Sequence, residues 1–186
     1  MTTLKINNIE TAPEGSKELL GQSLKANGMI PGLHGVLAGA PGILEGYQTL
    51  HKLFTDSSFD KEELTVVWQT INVEHACHYC VPAHTAIAKM MKVDDTITES
   101  LRNETPLENP KLEALRTMTL IIVRNRGHVT PEELQAFYAA GYGERQVLEI
   151  ILGLSQKIIS NYTNHIANTP VDKPFEKFAW KRSVNA

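Results

Sequence analysis

The chain has 186 residues, enough for one well-packed domain or for two small ones that share a core. Its 42% hydrophobic and 21% charged residues are typical of a globular protein and argue against a disordered one. The net charge of −3 argues against nucleic acid as the main partner, because phosphate binding needs a basic surface.

The sequence favours a cytoplasmic location. No run approaches the roughly 20 apolar residues of a membrane span, and the N-terminus lacks the basic-then-apolar pattern of a signal peptide. We therefore expect no membrane partner and a compartment in which thiols are kept reduced. There, a C-x-x-C pair is more often catalytic or metal-binding than structural.

Helical periodicity begins near the N-terminus. A first helix is predicted over 16–28, with Ser16 as its N-cap and Gly28 at its end. A second is predicted over 41–58, where Pro41 stands near a helix start and apolar residues recur every three or four positions.

The third predicted helix begins near Asp60. Glu63 follows three residues later, as in a capping box, and the helix continues through "LTVVWQTINVEHA". Its β-branched residues also suit a strand, but the cap and the length favour a helix. Trp68 is expected in the core.

Three further helices are predicted over 110–127, 130–141 and 144–168. The limits of the middle one are marked by Thr130 as N-cap, Pro131 at the first position and Gly141 at the end. The last is long and is expected to be a central core helix. Its predicted buried face carries Val147, Ile151, Leu154 and Ile158.

Together these elements predict an all-α, single-domain helical bundle over residues 1–186. Evidence for strands is weak, and no repeat or low-complexity tract stands out. The N-terminal dozen residues and the tail after Pro170 are expected to be arms that pack against another subunit.

The stretch "NVEHACHYCVPAH" contains both cysteines of the chain. Pro82 is tolerated only in the first turn of a helix, so a helix is predicted to start close to the thiols. Cys77, Cys80 and His84 are then spaced three and four residues apart on one face. A helix N-terminus and a nearby imidazolium both favour thiolate, the nucleophilic form.

Three interpretations of this stretch remain open. A redox site would use both thiols, which can close a disulfide, and would give His84 a proton-transfer role. A metal site would use Cys77, Cys80 and His84, but the sequence shows no evident fourth ligand. The candidates for that ligand are His75, His78 and His165. In the third interpretation the thiols are small buried hydrophobes and the histidines are solvated.

The residues resemble a known family. "CHYCVPAHTAIA" is similar to the C-x-x-C-x-x-x-H signature of the alkylhydroperoxidase D-like and carboxymuconolactone decarboxylase family. The segment 28–54 resembles the helical lead-in of its peroxidase-related branch, and 130–167 resembles that branch's C-terminal pair of helices. The resemblance covers about residues 28–168.

This resemblance implies an all-α fold of roughly seven to nine helices that assembles into homotrimers or homohexamers. It also implies reduction of organic hydroperoxide or hydrogen peroxide without a cofactor. Cys80 would be the peroxidatic thiol, Cys77 the resolving thiol and His84 part of a proton relay. A dithiol, thioredoxin-type or lipoyl-type donor would reduce the disulfide. Members of the decarboxylase branch lack the cysteine pair, which weighs against lactone decarboxylation.

The sequence departs from the family pattern at one position. The family relay usually includes a glutamate twelve residues before the first cysteine, and Thr65 stands there. Glu74 is favoured as the replacement, since it lies three residues before Cys77, whereas Glu63 belongs to the predicted capping box. Tyr79 occupies a position that is histidine in some members; it is expected to pack, although its hydroxyl can hydrogen-bond a thiolate.

The remaining polar residues are assigned weaker roles. His75 and His78 are expected at the rim of the site, and Tyr162 is expected to pack. Asn161, Asn164 and His165 are expected on an exposed polar face of the last helix. No partner can be inferred for three further histidines, His34, His51 and His128.

Overall fold

Helices account for all regular structure within residues 4–182, the part of the chain that this computed structural model describes. The α-helices are α1 Glu14–Asn27, α2 Gly32–Leu37, α3 Pro41–Thr55, α4 Lys61–Glu74, α5 Cys80–Met90, α6 Asp95–Arg102, α7 Pro110–Arg124, α8 Pro131–Ala139 and α9 Glu144–Ala167. A 3-10 helix, Lys173–Phe178, follows them. The predicted all-α bundle is confirmed, and its ten helices slightly exceed the seven to nine expected.

Reciprocal caps place the starts of α4 and α8 where the sequence predicts them. The Asp60 carboxylate accepts from the amides of Glu62 and Glu63, and Glu63 accepts in return from the Asp60 amide. Thr130 and Glu133 form the same reciprocal cap at the start of α8. Such caps satisfy amides that the first helical turn leaves free.

The predicted N-cap of α1 is wrong. The helix begins at Glu14, two residues before Ser16, and the Ser16 side chain is buried inside it. Its hydroxyl donates to the Ala38 carbonyl at 2.8 Å, so the serine joins α1 to the segment after α2. The predicted end is right, because Gly28 follows the helix with φ of +69°, a conformation that glycine adopts easily.

The apolar core lies mainly between α4 and α7, with α3, α8 and α9 around it. Trp68 is buried there, as predicted, and its indole N–H donates to Gln156 at 2.8 Å. The helix predicted over 110–127 is α7, and its buried residues recur every three or four positions. They are Leu112, Leu115, Met118, Thr119 and Ile122.

The predicted buried face of α9 is right only for Val147 and Leu154, which are partly buried against the apolar core. Ile151 and Ile158 are 44% and 39% exposed, and the inward face instead carries several polar residues. Gly153 helps to set this rotation, because a Cβ atom there would stand 2.7 Å from the Phe54 ring. The polar residues on the inward face are Gln156, Lys157, Ser160, Asn161 and Asn164.

The terminal segments pack on their own chain, and their contact with another subunit stays a prediction. The Asn7 amide donates to the Gly35 carbonyl at 2.8 Å, where a Cβ on Gly35 would clash with the Asn7 carbonyl. The 3-10 helix packs on α5, and Arg102 donates to the Phe178 carbonyl at 3.1 Å. The outermost residues of both arms, 1–3 and 183–186, lie outside the described range. No helix within residues 4–182 is long and apolar enough to cross a membrane.

Candidate active site

The two cysteines lie in the connection between α4 and α5. After α4 the chain turns through Ala76, whose φ of +50° is uncommon for a residue with a side chain. The Cys77 amide then donates to the Asn72 carbonyl at 2.9 Å, which fixes this turn against α4. Cys80 is the first residue of α5, as predicted, whereas Cys77 precedes the helix and does not share its first turn.

Both thiols are free and buried, with exposures of 0% for Cys77 and 2% for Cys80. The Cys80 amide, one of those that a helix start leaves without a helical partner, donates to the Cys77 sulfur at 3.3 Å. The Cys80 sulfur accepts a hydrogen bond from the Asn164 side-chain amide, also at 3.3 Å. Each sulfur therefore accepts one hydrogen bond, Cys77 from the start of α5 and Cys80 from α9.

A network of buried amides holds α9 against α4 at this point. Asn161 donates to the Asn72 side-chain oxygen at 3.0 Å, and Asn72 donates to Gln69 at the same distance. Asn161 and Asn164 are both 0% exposed, so the expectation of an exposed polar face was wrong for these two. It holds for His165, which is exposed. The Asn164 side-chain oxygen is buried without a hydrogen-bond partner among the described residues, which is unusual for a native protein.

A buried histidine and a buried lysine meet beside the thiols. His84 is 6% exposed and Lys157 is 1% exposed, and the lysine Nζ lies 2.9 Å from the His84 Nε2. The His84 ring packs at 4.9 Å from the Trp68 ring. Burial lowers the pKa of His84 well below its usual value, and the charge of Lys157 lowers it further, so the imidazole is neutral.

The surroundings of the two sulfurs shift their acidities in opposite directions. Burial raises the pKa of the Cys80 thiol, but the hydrogen bond with Cys77, the charge of Lys157 and the amides of Asn164 and Asn161 together lower it. Burial and the neighbouring Cys80 raise the pKa of Cys77. Cys80 is therefore the thiol that ionises first, and the ionised form is the nucleophile.

Two histidines without inferred partners also lie in this interior. The His51 ring stacks on Trp68 at 5.5 Å, and its Nδ1 is 3.2 Å from the Gln156 side-chain nitrogen. His34 Nδ1 is 2.8 Å from the Ser23 hydroxyl. Burial lowers the pKa of both histidines to about 4.

Glu74 and Glu63, the two carboxylates considered for the proton relay, bind other side chains. Both Glu74 oxygens accept from the Arg124 guanidinium, at 3.0 and 2.8 Å. This pairing lowers the pKa of Glu74. Glu63 caps α4 and accepts from the Tyr142 hydroxyl at 3.1 Å. The buried hydroxyl of Thr65 donates to the Lys61 carbonyl, as serine and threonine often do within helices.

Three side chains near the thiols contact the C-terminal segment or α9. The Tyr79 hydroxyl donates to Asp172, which also accepts from the Gly32 amide at 3.1 Å. Tyr79 is thus buried and packed, as expected. His78 Nε2 lies 2.9 Å from the Thr169 carbonyl, and His75 Nδ1 lies 2.9 Å from the Asn161 side-chain oxygen.

Metal binding is the interpretation that the geometry supports least. Within residues 4–182, no group of three or more histidine, cysteine, aspartate or glutamate side chains is arranged to hold a metal ion. The polar groups nearest the thiols are the side-chain amides of Asn164 and Asn161, the ammonium of Lys157 and the single imidazole of His84.

Sequence reasoning missed Lys157 and misplaced Asn161 and Asn164. A signal for them was present, because Lys157, Asn161 and Asn164 recur at four- and three-residue intervals along the helix. The apolar stripe of α9 is the stronger pattern, and periodicity alone therefore predicts that the apolar stripe is the buried one.

No protein-family model and no curated protein matches this sequence. Several solved structures share its fold. One is described as the alkylhydroperoxidase AhpD core of an uncharacterized peroxidase-related protein from Ralstonia eutropha JMP134. It has a TM-score of 0.81 and 16% identity, and the match covers 94% of each chain.

A second similar structure is an uncharacterized peroxidase-related protein from Silicibacter sp. TM1040. Its TM-score is 0.78 at 15% identity, over 94% of this chain and 93% of that one. A third is a cysteine-to-alanine variant of the debrominase Bmp8 in complex with 2,3,4-tribromopyrrole, with a TM-score of 0.72, 14% identity and 93% coverage of both chains. The resemblance to the alkylhydroperoxidase D-like group is confirmed at the level of the fold.

Proposed function

We propose that this protein is a thiol-dependent hydroperoxide reductase that cycles between a dithiol and a disulfide. The observation that supports it most is the setting of Cys80 at the start of α5. Its sulfur accepts a hydrogen bond from Asn164, and the nearby charge of Lys157 favours the thiolate. The second thiol, Cys77, is close enough to accept from the Cys80 amide.

In the proposed reaction the Cys80 thiolate attacks one oxygen of the hydroperoxide. The S–O bond forms as the O–O bond breaks, sulfur is oxidised by two electrons, and the leaving oxygen takes a proton to become an alcohol or water. Cys77 then attacks the Cys80 sulfenic acid, releasing water and closing the disulfide. The unpartnered oxygen of Asn164 is available to accept from the hydroperoxide O–H.

The proton for the leaving oxygen comes from His84 in this proposal, because the ring is buried beside the thiols and held by Lys157. Glu74 is the alternative source that the sequence suggests. Its engagement with Arg124 places it second.

The cycle needs an external reductant. A dithiol, thioredoxin-type or lipoyl-type donor would attack the disulfide, returning both thiols and leaving with the oxidised pair. The homotrimer or homohexamer implied by the resemblance is part of the proposal, and outward apolar residues on α9 support it. They are Leu148, Ile151, Ile158, Tyr162 and Ile166.

The test is to add an organic hydroperoxide to reduced protein, count the remaining thiols by mass spectrometry, and then follow turnover with each donor class. Both thiols should disappear as a disulfide.

Cys80→Ser should abolish peroxide consumption, and Cys77→Ser should leave a trapped sulfenic acid. His84→Gln should slow consumption by about 10²- to 10⁴-fold. The proposal would be refuted if both thiols survived under conditions that oxidise the thiols of a known thiol peroxidase. A single oxidation without turnover would indicate a redox sensor.

The similarity to a debrominase structure supplies a second substrate class for the same assay. A thiolate can also remove bromine from an electron-rich ring, with the two thiols providing two electrons as carbon–bromine becomes carbon–hydrogen and bromide leaves. A brominated pyrrole should therefore be offered in parallel with the hydroperoxide. Faster disulfide formation with the pyrrole would reassign the substrate while retaining the dithiol chemistry.

A further inference from the structure

The buried side chain of Lys157 has no carboxylate partner in the part of the chain that the structure describes. Its residue is 1% exposed, and none of the ion pairs within residues 4–182 includes it. Its side-chain nitrogen makes a hydrogen-bond contact with the His84 ring at 2.9 Å. An ammonium group removed from water without a counter-ion is unfavourable by several kcal/mol.

The groups that face Lys157 show where the compensating charge must come from. From α3 the facing titratable group is His51, from α5 it is His84, and both are held neutral by burial. The remaining groups are the two thiols, Cys80 in α5 and Cys77 just before it, whose charges interact with the lysine. Only the thiols in this set can carry a negative charge at neutral pH, and Cys80 ionises first.

The contact with His84 also fixes a tautomer. An ammonium group can only donate, so the Nε2 of the neutral ring must accept, and the ring proton therefore resides on Nδ1. This arrangement allows a proton to leave His84 at Nδ1 while Lys157 supplies another at Nε2.

We propose that Lys157 is a positioning residue with two tasks: it is the counter-ion of the Cys80 thiolate, and it restores the proton that His84 delivers to the leaving oxygen. The second task depends on the proposed peroxide reaction, whereas the first does not. Before the reaction the interior holds one thiolate and one ammonium. Afterwards it holds a sulfenic acid and a neutral amine, so no uncompensated charge is left buried at either stage.

The neutral amine then has a use in the second step. Cys77 must lose its proton to attack the sulfenic acid, and burial makes that loss unfavourable. Lys157 accepts this proton and passes it to the departing hydroxide, which leaves as water. Burial lowers the pKa of Lys157 from its usual range, which favours release of the proton to His84 and to the departing hydroxide.

The experiment compares Lys157→Met, Lys157→Arg and the exposed control Lys89→Met, each in a Cys77→Ser background so that alkylation reports Cys80 alone. The measured quantity is the pH midpoint of the alkylation rate, together with the thiolate ultraviolet absorbance. Methionine should raise the midpoint by a unit or more, which lowers the ratio of thiolate to thiol at a given pH in the titration range at least ~10-fold. Lys89→Met should leave it unchanged.

Lys157→Arg separates the two tasks. Arginine keeps the positive charge but does not give up its proton, so the low alkylation midpoint should survive. With Cys77 restored, peroxide consumption by the arginine variant should still fall to that of the methionine variant. An unchanged midpoint in Lys157→Met overturns the assignment as counter-ion. Normal peroxide consumption by Lys157→Arg overturns the assignment as proton source.

A reciprocal measurement covers the case in which the Lys157 variants do not fold. In isotope-labelled protein, the Lys157 amine should titrate lower than the exposed lysines, and Cys80→Ala should lower its titration midpoint further by removing the counter-ion. A midpoint that Cys80→Ala leaves unchanged would overturn the pairing. Because neither this readout nor alkylation uses peroxide, a failure of the proposed reductase function is recognised separately.

Discussion

Helix α4 contacts two interiors of opposite character. Toward α7 it packs apolar side chains such as Val67 and Ile71 among leucines and methionine. Toward α5 and α9 it presents Gln69 and Asn72, which join a hydrogen-bonded set of amides beside the thiols. Apolar packing needs only the right volume, whereas each buried polar group needs a specific partner. Substitutions in the second, polar interior should therefore affect activity more strongly. The first, apolar interior contributes more to stability.

The largest loss of stability should come from the apolar interior. Leu115→Ala removes a side chain that is 0% exposed, leaves a cavity between α4 and α7, and should lower the free energy of unfolding by about 2–5 kcal/mol. Denaturant unfolding measures it, with Leu53→Ala, at a residue 52% exposed, as the control. If the two substitutions were equally mild, the apolar interior would not be the source of stability that we describe.

A smaller loss is expected from the polar interior. Asn72→Ala deprives the Asn161 amide and the Gln69 oxygen of their partners, at a cost of about 1–3 kcal/mol in the free energy of unfolding. The double variant Asn72→Ala/Asn161→Ala should lose less free energy of unfolding than the sum of the two single variants. Each single change breaks the same Asn72–Asn161 hydrogen bond, so the sum counts that bond twice. Strict additivity in this double-mutant cycle would contradict the network.

The third prediction concerns acidity more than stability. Asn164→Ala removes a donor to the Cys80 sulfur, so the pKa of Cys80 should rise and its alkylation midpoint should move up by about one pH unit. Ser155→Ala, on the exposed side of the same helix, is the matched control. A midpoint that does not rise would show that this amide does not stabilise the thiolate.

The smallest effect is expected outside both interiors. Glu74→Gln breaks an ion pair with Arg124, whose side chain is 52% exposed, and should lower the free energy of unfolding by about 1 kcal/mol or less. Because folding lowers the pKa of Glu74, the difference from wild type should be present above pH ~4.3 and disappear as the pH falls through the lowered value.

The same variant tests the relay role that the sequence suggests for Glu74. Peroxide consumption by Glu74→Gln should stay near that of the wild type if His84 and Lys157 supply the proton. A loss as large as that of His84→Gln would instead identify Glu74 as a relay residue.

Much of this protein was predictable from the sequence because the relevant signals are local. The Asp60–Glu63 and Thr130–Glu133 caps define helix starts within four residues, and the apolar spacing of α7 gives its buried face. Pro82 likewise placed the start of α5 close to the thiols, although the helix begins at Cys80 and leaves Cys77 outside its first turn. The all-α fold follows from the sum of such signals.

Only the tertiary structure decided which face of α9 is buried. The helix has an apolar stripe and a polar one, and periodicity favours burying the first. The polar stripe is buried because residues far away in the sequence contact it. Asn72 bonds to Asn161, Cys80 to Asn164 and His84 to Lys157. A lysine with no partner would be expelled to solvent, and pairings across 73 to 89 residues leave no local trace in the sequence.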